Sequence, residues 1–262
     1  MQPIYQSTAG KLSIKIYSDR EEMGTAAAVQ AGNVLCQLLE TQNQVSVIFA
    51  AAPSQNEFLD ALCEQPNIDW HRVDAFHMDE YIGLSASAPQ RFGNFLRNHI
   101  FDRIPFGNVH YLNGNADDPE KECEAYSVLL KKASPDIVFM GIGENGHIAF
   151  NDPAFADFHD KQAVKIVTLD EVSRNQQVHD GCFSTLDDVP KQALTLTIPA
   201  LTALKHIFCI VPAASKAKAV ARTVGGPISE ECPASILRES PGAALYLDRD
   251  SGASLLSGEV IL

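Results

Sequence analysis

Positive charge is scarce in this chain: 20 Lys and Arg face 33 Asp and Glu over 262 residues, a formal charge of −13. That balance argues against nucleic acid or an anionic membrane as a partner, although it leaves room for a local basic pocket. The six cysteines, Cys36, Cys63, Cys123, Cys182, Cys209 and Cys232, never fall at C-x-x-C spacing. Zinc and dithiol redox chemistry therefore lack their usual ligand pattern, and reduced thiols filling the core are expected. No apolar run approaches transmembrane length, and the first ten residues show no charged leader followed by an apolar stretch, so a cytoplasmic protein is expected. There is no internal repeat, low-complexity tract or linker. A chain of this length can bury a sizeable core, and one domain over 1–262 is expected.

What the chain does contain is alternation. Short β-rich runs at 12–17, 45–50, 72–77, 109–112, 137–141, 164–169, 194–198, 207–211 and 244–247 are separated by helical patterns at 18–40, 90–101, 119–133, 215–224 and 234–239. Ser18 with Glu21 and Ser54 with Glu57 have capping-box spacing and predict two helix starts. The order implies an α/β fold: a single three-layer, doubly wound, mostly parallel sheet covered by helices.

The densest stretch runs from Met140 to Pro153, MGIGENGHIAFNDP. Asp136 to Gly141 reads as a buried strand, and Gly141, Gly143 and Gly146 then permit tight turns or positive φ. His147 is thus placed just past a strand's carboxyl end, where open α/β sheets bind their ligands. His147 and Asp152 on one short loop make a proton-transfer pair. The glycine spacing also resembles a dinucleotide fingerprint, but no long helix pattern follows it. A structural glycine loop with a hydrogen-bonded His is the plainer alternative. Asp79 and Glu80 follow the 72–77 strand and are expected at the same sheet edge. They can be read as a catalytic pair, as solvated loop carboxylates, or, with His77, as metal ligands.

Three blocks, Met140 to Pro153, Phe76-His-Met-Asp-Glu-Tyr-Ile-Gly-Leu84 and Tyr111-Leu-Asn-Gly-Asn-Ala116, resemble the glucosamine-6-phosphate deaminase (isomerase) family in order and spacing. The likeness runs over roughly residues 12–250 and implies a Rossmann-like sugar-phosphate isomerase/deaminase fold. It implies that Asp79 is the base at the sugar's C2 and His147 the ring-opening group, with Asn145 and Asp152 orienting that His. It also implies a substrate pocket formed with Glu80, Ala51, Ser54, Gly143, Gly146, Arg174 and Lys216. The family usually has Glu where Asp152 stands. Its Gly-rich phosphate loop is replaced here by Phe49-Ala-Ala-Ala-Pro-Ser-Gln-Asn56, and Pro53 lacks an amide hydrogen. A helix start at Ser54 could still hold an anion, and Lys216 aligns with the family's phosphate lysine. Arg174 and His179 both stand near the position of its phosphate arginine.

The resemblance implies conversion of glucosamine 6-phosphate, or a close analogue, to fructose 6-phosphate and ammonia. No metal or organic cofactor is called for, and the expected partner is a phosphorylated amino sugar, with self-association into a homo-oligomer open. A lactonase or an aldose-ketose isomerase on the same fold is the enzymatic alternative. A non-catalytic sugar-phosphate-binding regulator is the alternative outside enzymes.

Overall fold

A computed structural model describes residues 1–260 and 262. The strands are β1 (Tyr5–Ala9), β2 (Leu12–Ile16), β3 (Val45–Phe49), β4 (Val73–His77), β5 (Asp79–Tyr81), β6 (Asn108–His110), β7 (Ile137–Met140), β8 (Val164–Thr168), β9 (Gln192–Leu196), β10 (His206–Val211) and β11 (Ala243–Leu247). The α-helices are α1 (Arg20–Thr41), α2 (Asn56–Cys63), α3 (Phe92–Leu96), α4 (Pro119–Ala133), α5 (Glu171–His179), α6 (Ile198–Thr202), α7 (Ala217–Gly225) and α8 (Ala253–Leu256). Eight strands form the main sheet in the order β1-β2-β11-β10-β7-β3-β4-β6. All neighbours in it are parallel except β1 and β2, which form an antiparallel hairpin.

The main sheet is the expected mostly parallel one, and a small second sheet stands beside it. β5, β9 and β8 make a separate antiparallel sheet, so the runs expected at 164–169 and 194–198 do not join the main one. Its source is a bend at Met78: β4 ends at His77, and after one residue the chain resumes as β5, paired with β9. Both expected capping boxes are also displaced. Asp19, not Ser18, caps α1 by accepting the Glu22 amide at 2.8 Å. At the second site a short 3₁₀ turn, Pro53–Gln55, precedes α2, which has no side-chain cap, and Glu57 instead pairs with Arg20 at 2.8 Å. The run at 90–101 is a five-residue α-helix that widens into a π-helical turn, and the run at 234–239 is a 3₁₀ helix.

β3, β4 and β7 are buried at every position, as expected for strands covered on both faces. One face packs on α1 and α2 through Phe49, Phe58, Phe139 and Phe208. Phe139 stands 4.8 to 5.5 Å from the other three, ring centre to ring centre. Burying such rings stabilises the fold by roughly 1.5 to 3 kcal/mol each. The chain runs β3-β4-β6 in one direction across the sheet and then restarts at β7 on the other side of β3. The order reverses between β3 and β7, and a crevice at such a reversal is where open sheets bind ligands.

Candidate active site

Four loops leave the carboxyl ends of β3, β4, β7 and β10 at this reversal, and they line one small cavity. β3 supplies Ala50, Ala51, Ala52 and Ser54, the β4–β5 bend supplies Met78 and Asp79, and β10 leads to Lys216. The β7 loop supplies Gly141, Ile142, Gly143 and His147, with Ala149 and Phe150 following. Phe92 of α3 and Gln176 and Gln177 of α5 complete the wall.

Asp79 is 7 % exposed. Burial, and then the neighbouring Glu80 charge, pushes its carboxyl well above the usual carboxylate range. Glu80 lies on the far side of the strand from the cavity, as the two-residue period of a strand requires. It accepts the amides of Tyr81 at 2.9 Å and of Phe92 and Gly93 at 3.1 Å each, and Arg91 lies 3.5 Å away. Burial raises the Glu80 carboxyl too, against the pull of those amides and Arg91. The bend itself is pinned by His77, whose Nε2 accepts the Leu112 amide at 2.9 Å while Nδ1 donates to the Asp79 carbonyl at 2.9 Å. Both ring nitrogens are therefore occupied, and burial lowers the imidazole to about 4, which keeps it neutral. This removes His77 from the metal reading, and no group of three or more potential metal ligands occurs among the described residues.

The β7 loop folds back on itself. The Gly143 amide donates to the His147 carbonyl at 3.0 Å, and the Gly146 amide donates to the Gly143 carbonyl at 2.9 Å. Gly146 has φ +93° and serves this turn without lining the cavity. Gly143 matters for space instead of dihedral freedom. A Cβ there would stand 2.1 to 2.3 Å from three atoms of the His147 ring, so the ring lies directly on the glycine. Around Nδ1 of that ring stand Asn145 Oδ1 at 2.8 Å, Ser173 Oγ at 2.9 Å and Asp152 Oδ1 at 3.1 Å. Asn145 and Asp152 are thus brought to His147, although neither lines the cavity. Three oxygens around Nδ1 hold the proton there in the neutral ring and leave Nε2 without a partner among the described residues. Asp152 is fully buried, which alone would raise its carboxyl, yet hydrogen bonds and charge from His147, then Ser173 and Asn145, hold it below the usual range.

The two catalytic candidates are coupled by aromatic packing. Tyr81, two residues beyond Asp79, and Phe150, three beyond His147, lie 5.5 Å apart between ring centres. Phe92 stacks on Phe150 at 5.6 Å and meets Tyr81 at 4.7 Å.

Lys216 is 5 % exposed, and its ammonium has no hydrogen-bond partner. Burial lowers its pKa, offset in part by Asp180 and Glu144. Its position follows from a strained residue: Ala213 has φ +84°, a region that suits glycine, and its amide is held by Asp248 at 2.9 Å. The Ser54 hydroxyl accepts from Gln55 Nε2 at 3.1 Å, and that amide also donates to the Ile210 carbonyl at 3.1 Å, tying the β3 loop to β10. Arg174 stands elsewhere. Its guanidinium donates to the carbonyls of Leu186 and Val189 and does not reach the cavity. His179 is exposed and sits 3.5 Å from Glu144. Lys216 is accordingly the only Lys or Arg among the described residues lining the cavity. Ser173, Gln176 and Gln177 were missed in the sequence, because α5 is a polar helix whose inward face carries no apolar stripe. Asp170, which caps it by accepting the Ser173 amide at 2.7 Å, was its available sign.

A roomier groove of about 720 Å³ lies between α4 and the start of β8, lined by Cys123, Ser127, Lys131 and Lys161 among others. None of the catalytic candidates faces it.

Comparison with known proteins agrees with this architecture. The family profile described as Glucosamine-6-phosphate isomerases/6-phosphogluconolactonase matches residues 18–246. The glucosamine-6-phosphate deaminase of Exiguobacterium sibiricum is 35 % identical over 192 residues, 73 % of this chain and 74 % of that one. The Listeria welshimeri enzyme of the same name is 33 % identical over 216 residues, 82 % of this chain and 90 % of its own. Among solved structures, a monomeric glucosamine-6-phosphate deaminase superposes with a TM-score of 0.84 at 29 % identity, covering 92 % of this chain and 98 % of that one. A 6-phosphogluconolactonase from Thermotoga maritima superposes at 0.72 with 20 % identity, covering 90 % and 98 %, and so shares the fold. By profile, relatives and architecture together, the chain belongs to the glucosamine-6-phosphate isomerase/6-phosphogluconolactonase family.

Proposed function

We propose that the protein is an amino-sugar phosphate deaminase, converting glucosamine 6-phosphate or a close analogue to fructose 6-phosphate and ammonia. The observation that carries this reading is the pairing, on one cavity, of a buried carboxyl raised above its usual range with an imidazole whose Nδ1 is held by protein oxygens. Hydrolysis of a lactone needs no base at a C–H bond. Deamination does.

In this reading His147 Nε2 takes the proton of the anomeric hydroxyl and returns one to the ring oxygen as the C1–O bond to it breaks, giving the open-chain aldehyde. Asp79, as carboxylate, then removes the C2 proton; the electron pair forms a C1–C2 double bond as the carbonyl pair moves onto the C1 oxygen, which takes a proton from the C2 ammonium to give an enolamine. The carboxylic acid so formed returns its proton to C1, which leaves a hydroxyl at C1 and a protonated imine at C2. Water adds to that carbon and the nitrogen departs as ammonium, so atoms and charge balance. The raised pKa suits both halves of the transfer, since base strength and acid strength are matched near the operating pH.

Lys216 favours a phosphorylated substrate in the same cavity. A buried ammonium with no hydrogen-bond partner is a costly arrangement that an anion relieves. A phosphate monoester would meet that ammonium with Ser54 and the alanine loop beside it.

The test is ammonia release from glucosamine 6-phosphate by purified protein, with glucosamine and 6-phosphogluconolactone as the other arms. Release of ammonia and fructose 6-phosphate is the expected result. Lactone hydrolysis without ammonia would replace this reading with the lactonase, and binding without turnover would replace it with the regulator.

A further inference from the structure

We infer that Ser173 is a positioning residue for His147, linking the imidazole Nδ1–H to the Asp152 carboxylate through its hydroxyl. The inference rests on the reading of His147 as the ring-opening group. Of the three oxygens around Nδ1, two already serve other donors. Asn145 Oδ1 also accepts the His147 backbone amide at 2.9 Å, and Asp152 Oδ1 also accepts Asn145 Nδ2 at 3.0 Å and the Ser173 hydroxyl. Ser173 Oγ accepts from no other group among the described residues, so it offers the ring proton an uncontested lone pair at 2.9 Å.

The hydroxyl proton, in turn, has its outlet on Asp152 Oδ1. A directed chain results, from His147 Nδ1–H to the Ser173 oxygen and from the Ser173 O–H to the carboxylate. When ring opening places a second proton on the imidazole, the Asp152 carboxylate stabilises that charge through this chain without taking the proton. The other carboxylate oxygen of Asp152 is buried without a partner, so the negative charge is concentrated on the side facing Ser173 and Asn145.

The simpler reading of Ser173 is a residue of the first turn of α5. That turn does not use its hydroxyl, because Asp170 already provides the cap and takes the Ser173 amide. The cap instead fixes where Oγ stands. Ser173 is 1 % exposed, so water cannot replace the hydroxyl without local opening.

Ser173→Ala and Ser173→Thr test this, read by kinetics and by the proton spectrum of substrate-free protein. Ser173→Ala is expected to melt within a few degrees of wild type and to lose about tenfold in kcat on the cyclic sugar with KM nearly unchanged. On an open-chain analogue its loss should be about twofold or less, and Ser173→Thr, which keeps the hydroxyl, should recover most of the activity. In the spectrum, the Nδ1 proton should give a sharp downfield line in wild type and in Ser173→Thr and broaden in Ser173→Ala through faster exchange with water. An unchanged line in Ser173→Ala, or equal kinetic losses on cyclic and open-chain substrates, would overturn the positioning role. The spectrum needs no substrate. A broadened line in a protein that releases no ammonia would uphold the Ser173 chain and refute the deaminase assignment alone.

Discussion

One methyl group at Gly143 tests whether the placement of His147 carries the activity. The added Cβ would lie 2.1 Å from Cε1 and 2.3 Å from each ring nitrogen, where an ordinary contact is about 3.5 Å. The ring must therefore retreat by roughly 1.4 Å or leave its rotamer, since the glycine is fixed by the hydrogen bond from its own amide to the His147 carbonyl. The backbone is no obstacle, because Gly143 lies outside the left-handed region and alanine can adopt its angles. Nδ1 now has acceptors at 2.8, 2.9 and 3.1 Å. A retreat of that size opens most of them past hydrogen-bonding range. At about 1 kcal/mol for each of two lost bonds, and 2 to 4 °C per kcal/mol in a chain of this size, Gly143→Ala should melt roughly 4 to 8 °C lower. Activity should suffer far more, about 10²-fold in kcat, because misplacing a reacting group by about an ångström costs that much. Ammonia release, a melting curve and the Nδ1 proton line measure the three consequences. Turnover within about threefold of wild type, with the Nδ1 line unmoved, would refute the claim that the glycine seats the ring.

Two further substitutions separate chemistry from stability. Asp79→Asn should lower turnover by about 10² or more. The folded carboxyl is raised above its unfolded value, so its stabilising contribution is present below the unfolded pKa and is lost as pH rises through the folded one. The Asn variant should accordingly melt higher than wild type at neutral pH, with the gap closing as pH falls toward about 4, and equal melting at pH near 7 would show that no ionisation is being suppressed. Lys216 has the opposite shift: its folded pKa is depressed, so stability is lost as pH falls through that value, and the charged form is the costly one. Lys216→Met should therefore melt slightly higher than wild type without phosphate while raising KM for the phosphorylated sugar about tenfold or more. An unphosphorylated analogue that suffers the same loss would detach Lys216 from the phosphate.

The main sheet was legible because its strands are short apolar runs closed by turn residues, and β3, β7 and β10 fall within one or two residues of the runs that predicted them. β5 was not, since three residues reading Asp-Glu-Tyr carry no apolar alternation and form a strand only because β9 pairs with them. β1 escaped for a related reason: its hairpin partner β2 supplies the apolar face. The serine caps failed because a neighbour competed, Asp19 at α1 and the Pro53 turn at α2. At the site, spacing alone placed Asp79 and His147 at one sheet edge, and the fold puts both on one cavity. What spacing could not give is the far wall. α5 turns Ser173, Arg174, Gln176 and Gln177 inward, which makes a sequence that looks solvated into the lining and support of a crevice. Arg174 shows the limit from the other side, a cation at the right place in the chain whose Nε and Nη2 are turned to two carbonyls away from the cavity.

Asp79 and His147 follow β4 and β7, which flank β3 in the main sheet, and Tyr81, Phe92 and Phe150 pack on one another beside them. The separation of the two groups thus answers to three rings in contact as well as to the strand ladder they share. Rings of this kind can be exchanged for one another or trimmed while the fold survives, at a cost set by how well the gap closes. Evolution therefore has a dial here. Small changes in the three rings could move one group relative to the other by fractions of an ångström, retuning what the crevice does while every reacting residue stays in place.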